Sequence, residues 1–156
     1  RDIIKSNPDS SWYVFSSIFE KLDNLELFRF VEWFKIHLSL TMFPFRKISE
    51  WLAELPEKRA PLIARISPPG FIQEECIVRE LLNSYGEDEN VQQNLLGTFF
   101  AGSWAGAASE FFQAKKDSAI EWLGKETSMR VKRWLDKYIR VLSAEIDNTR
   151  IREERE

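Results

Sequence analysis

Apolar side chains return along this chain at intervals of three and four, the spacing that gathers them on one face of a helix. Trp12, Phe15, Ile18, Phe19 and Leu22 form the first stripe, behind the turn-and-cap cluster Ser6-Asn7-Pro8-Asp9-Ser10, where Asn7 or Asp9 can cap the helix. Leu27, Phe30, Val31, Phe34 and Leu38 form a second, wide stripe. It restarts after Asp23-Asn24 and stops near Thr41 to Phe43, because Pro44 has no N–H and restricts its predecessor. Ile48, Trp51, Leu52 and Leu55 predict a third helix from about Phe45 to Leu55. Pro56 suits the first turn of a short fourth helix, and Pro61 lies early enough there to be tolerated or to kink it. Ser67-Pro68-Pro69-Gly70 is the strongest breaker, and it reads as a linker between repeat units.

Phe71, Ile72, Cys76, Ile77, Leu81 and Leu82 mark a fifth helix ending at Tyr85-Gly86, with Gly86 as a left-handed cap. Asp88 can cap a sixth, carrying Val91, Leu95 and Phe99. After a tight turn over Ala101-Gly102-Ser103-Trp104-Ala105-Gly106, a seventh helix is expected from about Ala105 to Leu123, with Phe111, Phe112, Ile120 and Trp122 as its bulky members. Its small residues Ala105 to Ala108 would allow close approach to a neighbour. The last helix starts at Thr127 or Ser128 and extends past Ile146. No period of two lasts a strand length, and no Asn-Gly or Asp-Gly hairpin turn occurs. The expected class is all-α, with about eight helices packed as antiparallel neighbours.

Two stretches resemble each other. Glu50-Trp51-Leu52 and Arg59 recur 71 residues later as Glu121-Trp122-Leu123 and Arg130, each spanning a helix end, a short turn and the start of the next helix. A looser copy places Val91, Leu95 and Phe99 40 residues before Val131, Leu135 and Ile139. Such spacings are what stacked two-helix units produce. Wide stripes suit helices contacted on two sides, and the charged run over 147–156 suits a terminal cap of such a stack.

Composition narrows the function. At 156 residues the chain is expected to be one domain over 1–156, and 44% apolar content with 13% aromatics excludes disorder as a default. A net charge of −3 argues against a generic polyanion binder, yet residues 115 to 140 hold eight basic and four acidic groups, a local +4. The single cysteine, Cys76, can form no intrachain disulfide, and a reducing cytoplasmic setting is expected. Leu27 to Phe45, the most apolar run, is broken by Arg29, Glu32 and Lys35, so no membrane partner is expected. The start at Arg1 and the charged finish read as a piece of a longer protein.

Little in the chain points to catalysis. His37 is the one histidine, flanked by Ile36 and Leu38, so a helix-face or interface role outweighs a catalytic one. With one thiol and one imidazole, no metal site rich in cysteine or histidine can be built. No nucleophile-elbow or phosphate-loop motif is present, and no cofactor is expected. Glu74-Glu75 and Asp88-Glu89 fit a charged solvent face, and Glu74 and Glu75 disfavour a thiolate at Cys76, which is expected in the core. Trp33, Trp51, Trp122 and Trp134 lie on or beside apolar stripes and are expected to pack inside; Trp12 and Trp104 are less constrained. One feature stands out: Arg130, Arg133, Lys137 and Arg140 recur at three and four on the last helix. They form a solvated face, or a docking surface for an acidic partner or nucleic-acid phosphates.

From about Asn24 onward the chain resembles the HEAT-like repeats at the C-terminal ends of large bacterial multidomain proteins. The resemblance rests on Glu50-Trp51-Leu52 through Arg59-Ala60-Pro61-Leu62-Ile63-Ala64, on Gly102-Ser103-Trp104-Ala105-Gly106, and on Val131-Lys132-Arg133-Trp134 followed by Leu142. Thr127-Ser128-Met129 stands where such repeats carry an Asp before the repeat Val. The resemblance implies an α-solenoid, a right-handed superhelix of stacked helix pairs. It also implies a scaffold or sensor arm attached to an enzymatic or nucleotide-hydrolysing domain, in some parents within signalling or antiviral defence. The expected function is a non-enzymatic module that binds a protein partner or another domain of its parent. The alternative is a nucleic-acid-binding repeat domain using the basic stripe.

Overall fold

Caps and prolines set the helix boundaries in the computed structural model, which describes residues 2–70 and 76–155. Among these residues the regular structure is entirely helical: α1 (Asp2–Ser6), α2 (Pro8–Lys21), α3 (Asn24–His37), a 3-10 turn (Leu40–Met42), α4 (Phe45–Glu54), α5 (Pro56–Ile66), α6 (Ile77–Tyr85), α7 (Glu89–Phe100), α8 (Ala108–Lys125) and α9 (Met129–Glu153). Asn7 caps α2, its side chain accepting from the Ser10 N–H at 3.4 Å. Asp23 caps α3 through the N–H groups of Leu25 and Glu26 at 3.0 and 2.9 Å. Asp88 and Ser128, 40 residues apart, cap α7 and α9 by accepting from the N–H groups of Val91 and Val131. These bonds satisfy donors that the helix itself leaves unpaired.

The chain divides into two compact units, Arg1–Phe99 and Phe100–Glu156. In the first, α2 packs on α4 and α4 on α6, while α3 packs on α5. Helix α7 holds α5 by its carbonyls: Asn94 donates to Pro61 O at 2.8 Å, and Thr98 Oγ1 lies 3.2 and 3.3 Å from Ala64 O and Arg65 O. From α2 to α7 the helices thus meet two places ahead, α2–α4–α6 and α3–α5–α7, while α4 and α6 also pack on α5. Helix α5 runs through Pro61 without ending.

The core between these rows is aromatic. Phe19 and Phe34 are almost fully buried, with ring centroids 5.8 Å apart. Phe43 meets Phe34 and Phe15 at 6.0 and 5.4 Å, and Trp12 meets Phe43 and Trp51 at 5.5 and 5.6 Å. Arg59 closes one end of this core. Its guanidinium sits 4.5 Å over the Trp51 ring and donates to Trp51 O, to Glu54 and to Glu20. Burial alone would raise the Glu20 carboxyl, but hydrogen bonds from Lys58 and Arg59 outweigh it and hold the group below its ordinary value.

In the second unit, α8 and α9 form a hairpin whose register is fixed at its open end. The N-cap of α8, Ala107, has no side-chain acceptor, and Glu153 supplies one from α9. Its carboxylate accepts from the Ser109 N–H at 3.1 Å and lies 2.6 Å from Ser109 Oγ. The hydroxyl bond, then the backbone bond, lower the pKa of Glu153, and the positive end of the α8 dipole acts in the same sense. Val131, Trp134, Leu135, Tyr138, Leu142, Ile146 and Thr149 form the buried stripe of α9, and Ser109, Phe112 and Ala119 that of α8. Burial pushes the Tyr138 phenol up to about 12.

Several details depart from the sequence-based expectation. Helix α3 ends at His37, and a 3-10 turn capped by Ser39 carries the chain on, burying Leu40 and Phe43. Gly86 is right-handed, at φ −67°, and a Cβ there would collide with the Leu82 carbonyl oxygen. A close approach, rather than a positive φ, is what requires glycine. Ala105 and Gly106 lie in an exposed connection ahead of α8, in which Gly102 has φ +153° and faces the Phe111 ring; the buried small residue of α8 is Ala119. Cys76 is half-buried at the start of α6 rather than in the core. Phe71, Ile72, Glu74 and Glu75 lie outside the described residues.

Arg59→Ala should lower stability by about 2 kcal/mol, because it leaves the half-buried Glu20 carboxylate without its closest donor, at 2.7 Å. Urea unfolding of the two proteins measures this. Glu153→Ala should destabilise the hairpin at neutral pH. The native carboxyl titrates below its unfolded value, so the difference from wild type is full above about pH 4.3 and shrinks as pH falls through the native value. Unfolding curves across a pH series test the sign.

Candidate functional site

Part of the outer surface of α2 and α3 stays apolar, between exposed charged positions such as Asp9, Arg29 and Lys35. Val14 on α2 is 53% exposed, and Trp33 and Ile36 on α3 are 44% and 72% exposed. Helix α1 brings up Ile3, 80% exposed. Ile3, Ile4, Val14, Phe15, Trp33 and Leu38 line a groove of about 550 Å³, with Ser11 and His37 as its polar members. Ser11 Oγ donates to Asn7 O at 2.8 Å, so it is already satisfied. The His37 and Trp33 rings lie 5.2 Å apart, and Trp33 stacks on Phe30 at 5.6 Å. Among the described residues, no carboxylate, ammonium or guanidinium lines this groove. Open apolar surface of this extent on a folded unit is a feature of binding sites.

The helical spacing of α2 and α3 pointed to one inner face each, and the placement of the tryptophans shows where it fell short. Trp33, expected inside, lies on the outer face and lines the groove, whereas Trp12 is 3% exposed and belongs to the core. Trp134 is buried, Trp51 and Trp122 are half-buried, and Trp104 stands exposed, stacked on Phe111 at 4.8 Å. The signal for the groove was the width of the apolar pattern on α3, where Trp33 and Ile36 extend the stripe beyond one face.

The basic residues singled out in the sequence do come together. Arg130, Arg133, Lys137 and Arg140 lie on one side of α9, opposite the buried Val131, Leu135, Tyr138 and Leu142 by the 3.6-residue turn. Arg130, Arg133 and Arg140 are exposed and Lys137 is half-buried. The neighbouring lysines contribute less. Lys125 pairs with Glu121, while Lys115 lies over the Phe111 ring at 4.8 Å and donates to Ala101 O at 3.1 Å. Burial lowers the pKa of Lys115.

A smaller pocket of about 370 Å³ is lined by Trp12, Tyr13 and Trp51 with Asp9, Glu50 and Glu54. Its acids are largely neutralised from within, Glu50 by Arg46 and Lys47 and Glu54 by Arg59. Arg59 also covers the Trp51 ring. That pocket therefore offers a cation little that the chain has not already used.

Among the described residues, no group of three or more His, Cys, Asp or Glu could hold a metal ion. No helix of these residues is long and apolar enough to cross a membrane. Comparison of the chain with protein-family models, curated proteins and solved structures finds no match.

Proposed function

We propose that this chain is a non-catalytic interaction module, a helical-repeat scaffold or sensor element of a larger bacterial protein acting in the cytoplasm. The observation that carries the proposal is the groove lined by Ile3, Val14 and Trp33, which leaves large apolar side chains in water. The HEAT-like reading is supported by the two-row packing, in which α2, α4 and α6 follow one another and α3 meets α5. It is supported too by the related stretches: Glu50-Trp51-Leu52 lies near the end of α4 and Glu121-Trp122-Leu123 near the end of α8, each before a short connection. Recognition by such a module uses surface complementarity rather than bond chemistry, so the proposal needs no nucleophile and no cofactor. A photoreactive residue placed at Val14 or Ile36 in the protein as expressed in cells should yield one discrete adduct, to a partner or to another domain of the parent. Mass spectrometry identifies it; no adduct above that of the same probe at Asp147 would overturn the proposal.

A second reading, nucleic-acid binding, is favoured by the grouping of Arg130, Arg133, Lys137 and Arg140 on one side of α9. Over ten residues these cations span about 15 Å of helix. Neutralising about four phosphates would make affinity fall steeply with salt. Binding to DNA or RNA measured by fluorescence anisotropy should then weaken at least about tenfold between about 50 and 200 mM salt, and should vanish when the four residues become Glu. No binding at the lower salt would remove this reading.

A further inference from the structure

Helix α3 carries a second seam on the side opposite its buried Val31 and Phe34. Leu25, Arg29, Glu32 and Ile36 follow one another at steps of four, three and four, the spacing of a coiled-coil contact line. All four reach solvent: Leu25 and Ile36 are 61% and 72% exposed, Arg29 is exposed, and the Glu32 side chain is 42% exposed. Phe28 and Trp33, both partly exposed, flank the line on either side. The order along the seam is apolar, basic, acidic, apolar. Turned end for end, it reads apolar, acidic, basic, apolar, and so matches itself. An antiparallel copy sets Leu25 against Ile36 and Arg29 against Glu32, each twice by two-fold symmetry. A parallel copy would set Arg29 against Arg29 and Glu32 against Glu32, which like charge disfavours. The chain itself leaves these charges open to a partner. Arg65 and Lys35 both approach Glu32 at one oxygen, Oε1, at 3.2 and 3.6 Å. Among the described residues, Glu32 Oε2 has no ion-pair partner, and neither has the Arg29 guanidinium.

We propose that a second copy of this chain docks on α3, with the two helices antiparallel and Arg29 of each copy donating to Glu32 Oε2 of the other. The two-fold axis passes at the level between Phe30 and Val31. Leu25 against Ile36 supplies the apolar burial at both ends, and the central ion pairs set direction and register. This goes beyond the interaction-module reading, which rests on the groove at Ile3 and Val14 and stands whether or not the chain pairs with itself.

Sedimentation equilibrium of the whole 156-residue chain and of its Arg29→Glu, Glu32→Arg and Ile36→Glu variants tests the proposal. The unsubstituted chain should show a monomer–dimer equilibrium in the micromolar to millimolar range. Arg29→Glu and Glu32→Arg should each weaken it at least about tenfold, because each sets like charges opposite one another at two symmetric positions. Mixing these two variants should restore the dimer, since both contacts between positions 29 and 32 then join opposite charges. Damage to the fold by either substitution would not be repaired by mixing. Ile36→Glu should abolish the dimer alone and in either mixture. All three side chains reach solvent, so the variants should fold, which their circular dichroism spectra check. A chain that stays monomeric through the millimolar range would overturn the proposal. So would a dimer that survives Arg29→Glu or Ile36→Glu, or a mixture of the two charge variants that stays monomeric. The groove reading is tested separately, by the photoreactive residue at Val14.

Discussion

Every apolar face in the first unit must be covered by short helices, and the aromatic rings decide which faces succeed. Phe19, Phe34, Phe43 and Trp12 fill the space between α2, α3 and the segment leading into α4. Rings of this size bury much area per residue and pack edge to face, so a few of them can close a core that aliphatic side chains on 10- to 14-residue helices would fill less completely. Arg59 then ties α2, α4 and α5 together at one margin, where a charged group can be held only because Glu20, Glu54, the Trp51 carbonyl and the Trp51 ring all receive it.

That same core leaves apolar surface outside. A helix has one side to give to each neighbour: α2 and α3 meet through Phe15 and Phe19 against Phe30 and Phe34, and pack on α4 and α5. Val14, Trp33 and Ile36 are left facing water, and α1 adds Ile3 without covering them. Leaving these side chains exposed forgoes a favourable transfer of roughly 25 cal/mol per Å², which a partner would recover on binding. The second unit spends its apolar residues differently. Its stripe on α9 meets α8, and the opposite side carries Arg130, Arg133, Lys137 and Arg140. The chain thus presents two outward surfaces of unlike chemistry, one apolar and one basic.

Much of this was legible in the sequence because it is local. Asn7, Asp88 and Ser128 announce helix starts through side chains that reach N–H groups three residues on, and Pro44 and Pro56 interrupt the chain where it bends. The all-α class and the grouping of the four basic residues on one helix follow from spacing alone. What spacing cannot decide is which of two apolar faces receives a neighbour. Trp12 and Trp33 both sit on or beside stripes, and only the arrival of Phe43 and Trp51 sends the first inside and leaves the second out. Glu153 capping α8 across 44 residues has no local signal either. The glycine at 86 carried a local signal that pointed to the wrong cause, since the constraint is the Leu82 carbonyl rather than backbone handedness.

The α2–α3 pair is divided between a covered and an open face. Methyl NMR of the chain with a soluble paramagnetic agent measures that division directly. The methyl signals of Ile3, Val14 and Ile36 should broaden strongly, while those of Val31, Ile48 and Ile63 stay sharp. Protection of Ile3, Val14 and Ile36 to the level of Val31 would mean that the groove is closed, and would contradict the account.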